Sequence, residues 1–296
     1  MRKGTRVVLL TLLLYAGTLG LFLVVIAAVL HAPEGGGLGF GSRVAIVELE
    51  GIILDVEDIV RDLKSHRDNP LVRAVVLRIN SPGGVVGPTQ ELVRAVQRLR
   101  EAGKPVVASL GAVAASGGYY VAVAADSIYA NPGTLTGSIG VIMQMANLEN
   151  LMKKVGVEYV VIKAGQFKDV GNVSRPMTVE ERRVLQALLD DVHRQFIDAV
   201  VEGRKLDRSR VVAFADGRVF SGAQAKTLGM VDELGGLEEA LDRAAKLAGL
   251  PSPPKVVQPR RRFSIMDLLR SQIGLGKATV LMPALPAFKT PLYLLD

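Results

Sequence analysis

The chain has 296 residues, enough for one or two domains with a full core. It contains no cysteine, which excludes a disulfide framework, Cys-ligated zinc, an iron–sulfur cluster and a thiol nucleophile. The absence of tryptophan and an aromatic fraction of only 5% argue against nucleic-acid binding by base stacking, and a net charge of +7 suits a membrane surface as well as a nucleic acid.

A mean hydropathy of +0.31 is high for a soluble protein and points to one concentrated apolar segment. That segment is Val7–Leu30, 24 residues without a charge. About 20 apolar residues span a bilayer core, whereas the apolar region of a cleavable signal peptide runs only ~7–15. The run therefore reads as a retained transmembrane helix. Arg2, Lys3 and Arg6 precede it and no basic residue follows until Arg43, which keeps the N-terminus cytoplasmic and sends the rest of the chain outside. Residues 1–31 form the cytoplasmic N-terminus and anchor, and the Gly-rich 32–42 a flexible linker.

Folded sequence is expected over 43–250. Strands are predicted at 43–48, 74–79, 105–110, 127–130, 140–143 and 159–162. Helices are predicted at 56–66, 88–100, 178–202, 208–215, 222–228 and 237–248, with Leu92, Val93, Val96 and Leu99 on one helical stripe. Strands alternating with helices imply an α/β domain with a largely parallel sheet. The tail, 251–296, combines PSPP, the basic run Arg260–Arg262 and apolar stretches broken by prolines. It reads either as disordered or as a membrane-surface or partner-docking segment.

Common catalytic and nucleotide motifs are absent from the sequence: no P-loop, no H-E-x-x-H, no G-x-S-x-G. The three histidines, His31, His66 and His193, lie in unremarkable settings, so a hydrolase here would use another base. The unusual features are Gly-rich turns directly beside apolar strands: Asn80–Gly84 (NSPGG), Ala114–Tyr120 (AASGGYY) and Thr136–Gly140 (TGSIG). Turns at the carboxyl ends of parallel strands are where such sheets bind ligands, and glycines let backbone N–H groups approach an oxyanion. Ser116 stands where a helix should begin, which would leave its Oγ exposed among N–H donors. Each turn taken alone is more often just a turn; the three in order carry the signal.

In that order, together with KAGQFKD at 163–169 and ADGRVFSGAQAKTLGMVDELGG at 215–236, the sequence resembles the signal peptide peptidase A family of membrane-anchored serine proteases from about Arg43 to Ala248. The resemblance implies the fold of Clp proteases and crotonases, a spiral of β-β-α units, and a Ser–Lys dyad without metal or cofactor. Carried over by motif, Ser116 is the nucleophile, Lys168 the general base and Ser138 the serine orienting the lysine, with the Gly84 and Gly117 N–H groups as oxyanion hole. It also implies peptide substrates, signal peptides above all, a membrane location and a homo-oligomeric ring or dome. One departure follows the base, where Asn172-Val173 replace the Ser-Pro pair often found in the family.

Lysine serves as base only when neutral, which requires burial to lower a pKa of about 10.4. Asp169 beside it would oppose this, so its carboxylate is expected to point away. Three rival readings stand beside the peptidase: a non-catalytic membrane-anchored scaffold on the same fold, a Ser–Lys protease clipping membrane-protein tails, and a crotonase-type acyl-CoA enzyme, which an external domain disfavours.

Overall fold

The computed structural model describes residues 14–23, 41–259 and 292–294. The chain divides into two compact units, residues 1–40 with 260–269 and residues 41–259 with 270–296. In the first, residues 14–23 are helical (α1) with exposed side chains. The rest of the apolar run at 7–30, and nearly all of the 32–42 linker, lie outside the described residues. Among the described residues no helix is long and apolar enough to cross a membrane.

The second unit is an α/β domain on a parallel-rich sheet. Strand β1 (Arg43–Ile53) pairs in parallel with β2 (Val72–Val85), after helix α2 (Glu57–Asp68) has crossed between them. Helix α3 (Val86–Glu101) leads from β2 to β3 (Val106–Ala115), again parallel to β2. Successive β2 residues point to opposite faces, as the pleat requires. Val75, Leu77 and Ile79 enter the larger core with Leu92, Val96 and Leu99 of α3. Ala74 and Val76 enter a smaller one on Ala240, Ala244 and Ala245. Both faces are therefore covered, which is why these strands read as continuous apolar runs.

After β3 come a short helix α4 (Gly117–Ala122), β4 (Ser127–Ala130) and β5 (Leu135–Gly137), both strands parallel to β3. Helix α5 (Glu149–Val155) precedes the long α6 (Val179–Arg204). The latter begins in a capping box: Thr178 Oγ1 accepts from the Glu181 N–H, and the Glu181 carboxylate accepts from the Thr178 N–H. Then follow α7 (Arg208–Val212), β6 (Val219–Ser221, antiparallel to β5), α8 (Gly222–Leu228), β7 (Glu233–Leu234, beside β4) and α9 (Leu237–Leu247), which supplies the alanines of the smaller core.

Several predicted elements differ. NSPGG is not a turn: β2 runs on through it to Val85, with register shifts at Glu50/Ile52 on β1 and Ile79/Ser81 on β2. The glycines bend the strand without ending it. The predicted strands at 140–143 and 159–162 form no ladder beyond a single bridge at Ile142. Val160, Val161 and Ile162 are exposed. The segment read as a tail also contributes: β8 (Val256–Val257) pairs with β1, and β9 (Leu292–Leu294) pairs with β2. The Arg260–Arg262 run lies outside the described residues.

An ion pair fastens α6 to the sheet. Arg204, nearly buried, donates to both Asp232 oxygens (2.9 and 2.7 Å), and Asp232 also accepts from the Ile128 N–H (2.7 Å). Replacing Asp232 by Ala strands the guanidinium and a strand N–H together. The expected loss is about 2–3 kcal/mol, below the ~3–5 of a fully buried pair because Asp232 is partly exposed. Chemical denaturation checks this; a loss under about 0.5 kcal/mol would show that the pair holds nothing.

Candidate active site

The site grows from the point where β3 gives way to α4. Ser116 takes φ 51° and ψ −117°, a left-handed conformation disfavoured for a residue with a side chain. It is held there from both sides: its N–H donates to Gly137 O (2.8 Å) and its C=O accepts from the Tyr120 N–H (2.8 Å). Helix α4 is itself pinned, with the buried Tyr119 hydroxyl on Met230 O (2.9 Å) and the Tyr120 ring edge-on to Phe196 of α6 at 4.8 Å.

The Ser116 hydroxyl is fully buried, and its Oγ has no hydrogen-bond partner. The expectation of an exposed Oγ is thus not met: the junction is sunk among β2, β5 and α4. An unpaired buried hydroxyl is unusual, since the group loses its water without replacement.

Gly84 and Gly117 come together beside it. A Cβ on Gly117 would lie 3.2 Å from the Gly84 amide nitrogen, and one on Gly84 only 2.1 Å from Ile53 O. Gly84 leaves no room for a side chain, and one at Gly117 would be tight. Ser81 Oγ accepts from the Gly83 N–H (3.1 Å), Asn80 Oδ1 from the Val113 N–H (3.2 Å), and Thr136 Oγ1 donates to Ala114 O (2.7 Å). Asn80 and Thr136 thereby join β2 to β3 and β5 to β3 at the site, while Ser81 braces the bend of β2 itself, roles that the motifs alone do not reveal.

Ser138 follows β5, also at φ 51°, with its N–H on Arg218 O (2.8 Å). It lines a cleft of about 520 Å³ together with His193, whose buried Nε2 has no hydrogen-bond partner. The histidine read as unremarkable is therefore near one of the site serines.

Lys168 is on an exposed turn whose backbone is closed by its N–H on Gly165 O (3.2 Å). The structure does not bring its amine into hydrogen-bond contact with Ser116 Oγ. The turn is anchored through the Asp169 carboxylate. It binds Lys163 and receives Arg175 Nη2 (2.9 Å) and Nε (3.3 Å). Arg175 also grips Glu181 (Nη1 to Oε2, 2.9 Å), tying the turn to the capping box of α6. Lys163, then Arg175, hold Asp169 far below the usual carboxylate range; Arg175, then the Thr178 N–H, bring Glu181 down to about 2. Asn172 Oδ1 accepts from the Ser174 N–H (2.9 Å) and hydroxyl (2.8 Å), so the unusual Asn172 stabilises this loop locally. Among the described residues no group of three or more His, Cys, Asp or Glu side chains is arranged to hold a metal ion.

An α/β domain with a strained, buried serine at a strand–helix junction, flanked by converging glycines, defines the structural class. The sequence profile of peptidase family S49 matches residues 98–251, and the chain belongs to that family. It is 45% identical over 217 residues to "Putative protease slr0021" of Synechocystis sp., covering 73% of this chain and 77% of that one. It is 34% identical over 190 residues to "Putative signal peptide peptidase SppA" of Enterococcus faecium (64% and 55%). To "Protease 4" of Haemophilus influenzae it is 34% identical over 215 residues, 70% of this chain but 35% of that one. The chain is accordingly a peptidase.

Because both carboxylates titrate lower when folded, the unfolded chain binds more protons between about pH 4.3 and 2. The stabilisation is complete above that window and fades as pH falls through it. Arg175→Met should be less stable at pH 7 and show a flatter acid slope in pH-dependent unfolding. An unchanged slope would mean that Arg175 does not set these carboxylates.

Proposed function

We propose that the chain is a serine endopeptidase in which Ser116 is the nucleophile, Lys168 the general base and Ser138 the group orienting the amine. Its substrates are remnant signal peptides and other apolar peptides. The observation that carries this reading is the Ser116 junction: a strained backbone presents an unpaired Oγ next to the paired Gly84 and Gly117 amides. In the reaction, neutral Lys168 takes the Ser116 proton as Oγ attacks the peptide carbonyl, and the resulting oxyanion is received by the two N–H groups. The C–N bond then breaks, the lysine protonates the leaving amine, and water releases the acyl group by the same steps. The fold belonging to this reading is the Clp protease/crotonase spiral of β-β-α units. The domain organisation is an anchor within 1–31, a linker at 32–42, a peptidase domain at 43–250 and a tail from 251.

The lysine must leave water to act. Its segment offers a means, since Val155, Val157, Tyr159, Val160, Ile162 and Phe167 are all exposed, Ile162 at 98%. So much adjoining apolar surface calls for a cover. A second copy of the chain burying it would desolvate Lys168 and move its loop, making the oligomer the working unit. The charge-free 7–30 run, with Arg2, Lys3 and Arg6 before it, supports a single-pass anchor with the peptidase domain outside the cytoplasm.

A Ser116 hydroxyl without a hydrogen bond to Lys168 is what a non-catalytic scaffold would also present, and kinetics decide between them. Ser116→Ala should abolish cleavage of a fluorogenic apolar peptide. Lys168→Arg should lower kcat/KM by about 10²–10⁴-fold, because guanidinium stays protonated. The alkaline-rising limb of the pH–rate profile should survive His193→Gln. Loss of that limb in the histidine variant would replace lysine by His193 as the base. Sedimentation gives a separate check: Val160→Asp/Ile162→Asp should shift the full-length protein in detergent toward monomer and lose activity with it. An active monomer would refute the requirement for a second copy.

A further inference from the structure

The end of the sheet remote from Ser116 is basic. Strands β1, β2, β3 and β8 run parallel, so their first residues gather at one end, with Arg43 opposite Val72, Val44 opposite Val256 and Val75 opposite Val106. Gly84 and Ser116 stand at the other end, about 30 Å further along at ~3.3 Å per residue. The first end carries Arg43, Arg73, Lys104 and Lys255, and the C-terminal half of α2 adds Lys64 and Arg67. Lys104 Nζ donates to His66 O (2.7 Å) and Asn69 O (2.6 Å), which ties the end of α2 to the start of β3. The pKa of this lysine is lowered, by burial first; Asp68 opposes the shift and Arg73 adds to it. Asp68 is paired with Arg67 and is also within the influence of Lys64 and Lys104. Lys64 and Arg73 have no ion-pair partner among the described residues, and both are exposed, as are Pro70 and Leu71. Even with Asp62 and Glu101 counted beside Asp68, six cations stand against three carboxylates.

We infer that this end of the sheet is a docking face for an anionic bilayer surface, and that docking turns the Ser116 end away from the lipid. The inference rests on the reading of 7–30 as a membrane anchor. Residues 31–42 join that run to β1. Fully extended, a segment of this length spans at most about 43 Å. Arg43 therefore reaches the lipid with the tether slack. Turning the Ser116 end to the lipid instead would lift Arg43 by about 30 Å and draw the tether nearly taut. The patch also continues to the point where the tether enters the domain, since a Cβ on Gly41 would lie 3.7 Å from Lys255 Nζ. Anionic headgroups attract basic residues held near the surface, each Lys or Arg adding to the attraction. Pro70 and Leu71 give the patch an apolar tip among the cations. Charge alone would also suit an acidic protein, but only the lipid is kept permanently at hand by a tether, which raises its effective concentration at this face.

The test uses the full-length protein in nanodiscs of phosphatidylcholine, alone or with one quarter phosphatidylglycerol. The chain has no cysteine, so Pro70→Cys takes a single NBD label at the patch, and Leu54→Cys, exposed just past β1, takes one at the opposite end. The discs carry a headgroup spin label that quenches NBD at close range. Quenching of the Pro70 label should be at least about twofold stronger with phosphatidylglycerol than without. It should be released by about 0.5 M NaCl, as screening requires. The Leu54 label should stay bright in both discs. Equal quenching of the Pro70 label in the two lipids, the result expected if the patch serves an acidic protein, overturns the inference, as does quenching of the Leu54 label in its place. Lys64→Glu/Arg73→Glu, which breaks no ion pair, should abolish the lipid difference, and Lys64→Gln/Arg73→Gln should reduce it; a difference unchanged in both variants overturns the inference. The anchor reading fails separately if the protein leaves phosphatidylcholine vesicles on washing with alkaline carbonate. Unanchored protein should still float with phosphatidylglycerol-containing vesicles at low salt and not with phosphatidylcholine alone, and failure to do so decides against the docking face.

Discussion

The whole site depends on a backbone contact that only glycine allows. β2 passes close enough to β1 that a methyl group on Gly84 would fall inside Ile53 O, and α4 starts so near β2 that one on Gly117 would crowd the Gly84 nitrogen. This contact sets where α4 begins, and therefore where Ser116 lies and how its backbone is bent. Atoms this close forbid adjustment in the other elements. The Ser81, Asn80 and Thr136 side chains then satisfy the polar groups that so tight a crossing would leave bare. Strain at Ser116 is maintained because both of its backbone groups are hydrogen-bonded to neighbours on either side.

A second, electrostatic framework governs the loop that bears Lys168. Arg175 bridges two carboxylates, one beside the lysine and one at the start of α6. Asp169, next to the lysine in sequence, is committed to Lys163 and Arg175. The loop is thus well ordered at its base while its tip, from Val160 to Lys168, stays in solvent. The two halves of the proposed dyad belong to different kinds of structure, one rigid and buried, the other anchored but open.

The long elements were readable in the sequence because burial imposes a period. The α3 stripe of Leu92, Val93, Val96 and Leu99 is buried as read, and α8 has the bounds that its Ser-x-x-Gln start and following Gly229 imply. What escaped was set by contacts distant in sequence. NSPGG has turn composition, yet pairing with Ile52 and Ile53 keeps it extended. Tyr159–Ile162 has strand composition but pairs with no strand among the described residues. Strands of two or three residues, β8 and β9, are too short to show a period, and their pairing comes from partners over a hundred residues away. The site serines and glycines could be found because each motif is local. The Arg175–Asp169–Glu181 network could not, since an arginine among polar residues has no distinguishing pattern before the loop folds.

The central claim is that Ser116 is a nucleophile activated by Lys168. The most direct measurement is covalent capture: full-length protein exposed to a fluorophosphonate at pH 8, digested and mapped by mass spectrometry. The account predicts a single adduct, on the peptide carrying Ser116, formed far more slowly in the Lys168→Arg protein and at an unaltered rate in His193→Gln. Labelling of another serine, or of Ser116 at the same rate without Lys168, would contradict it.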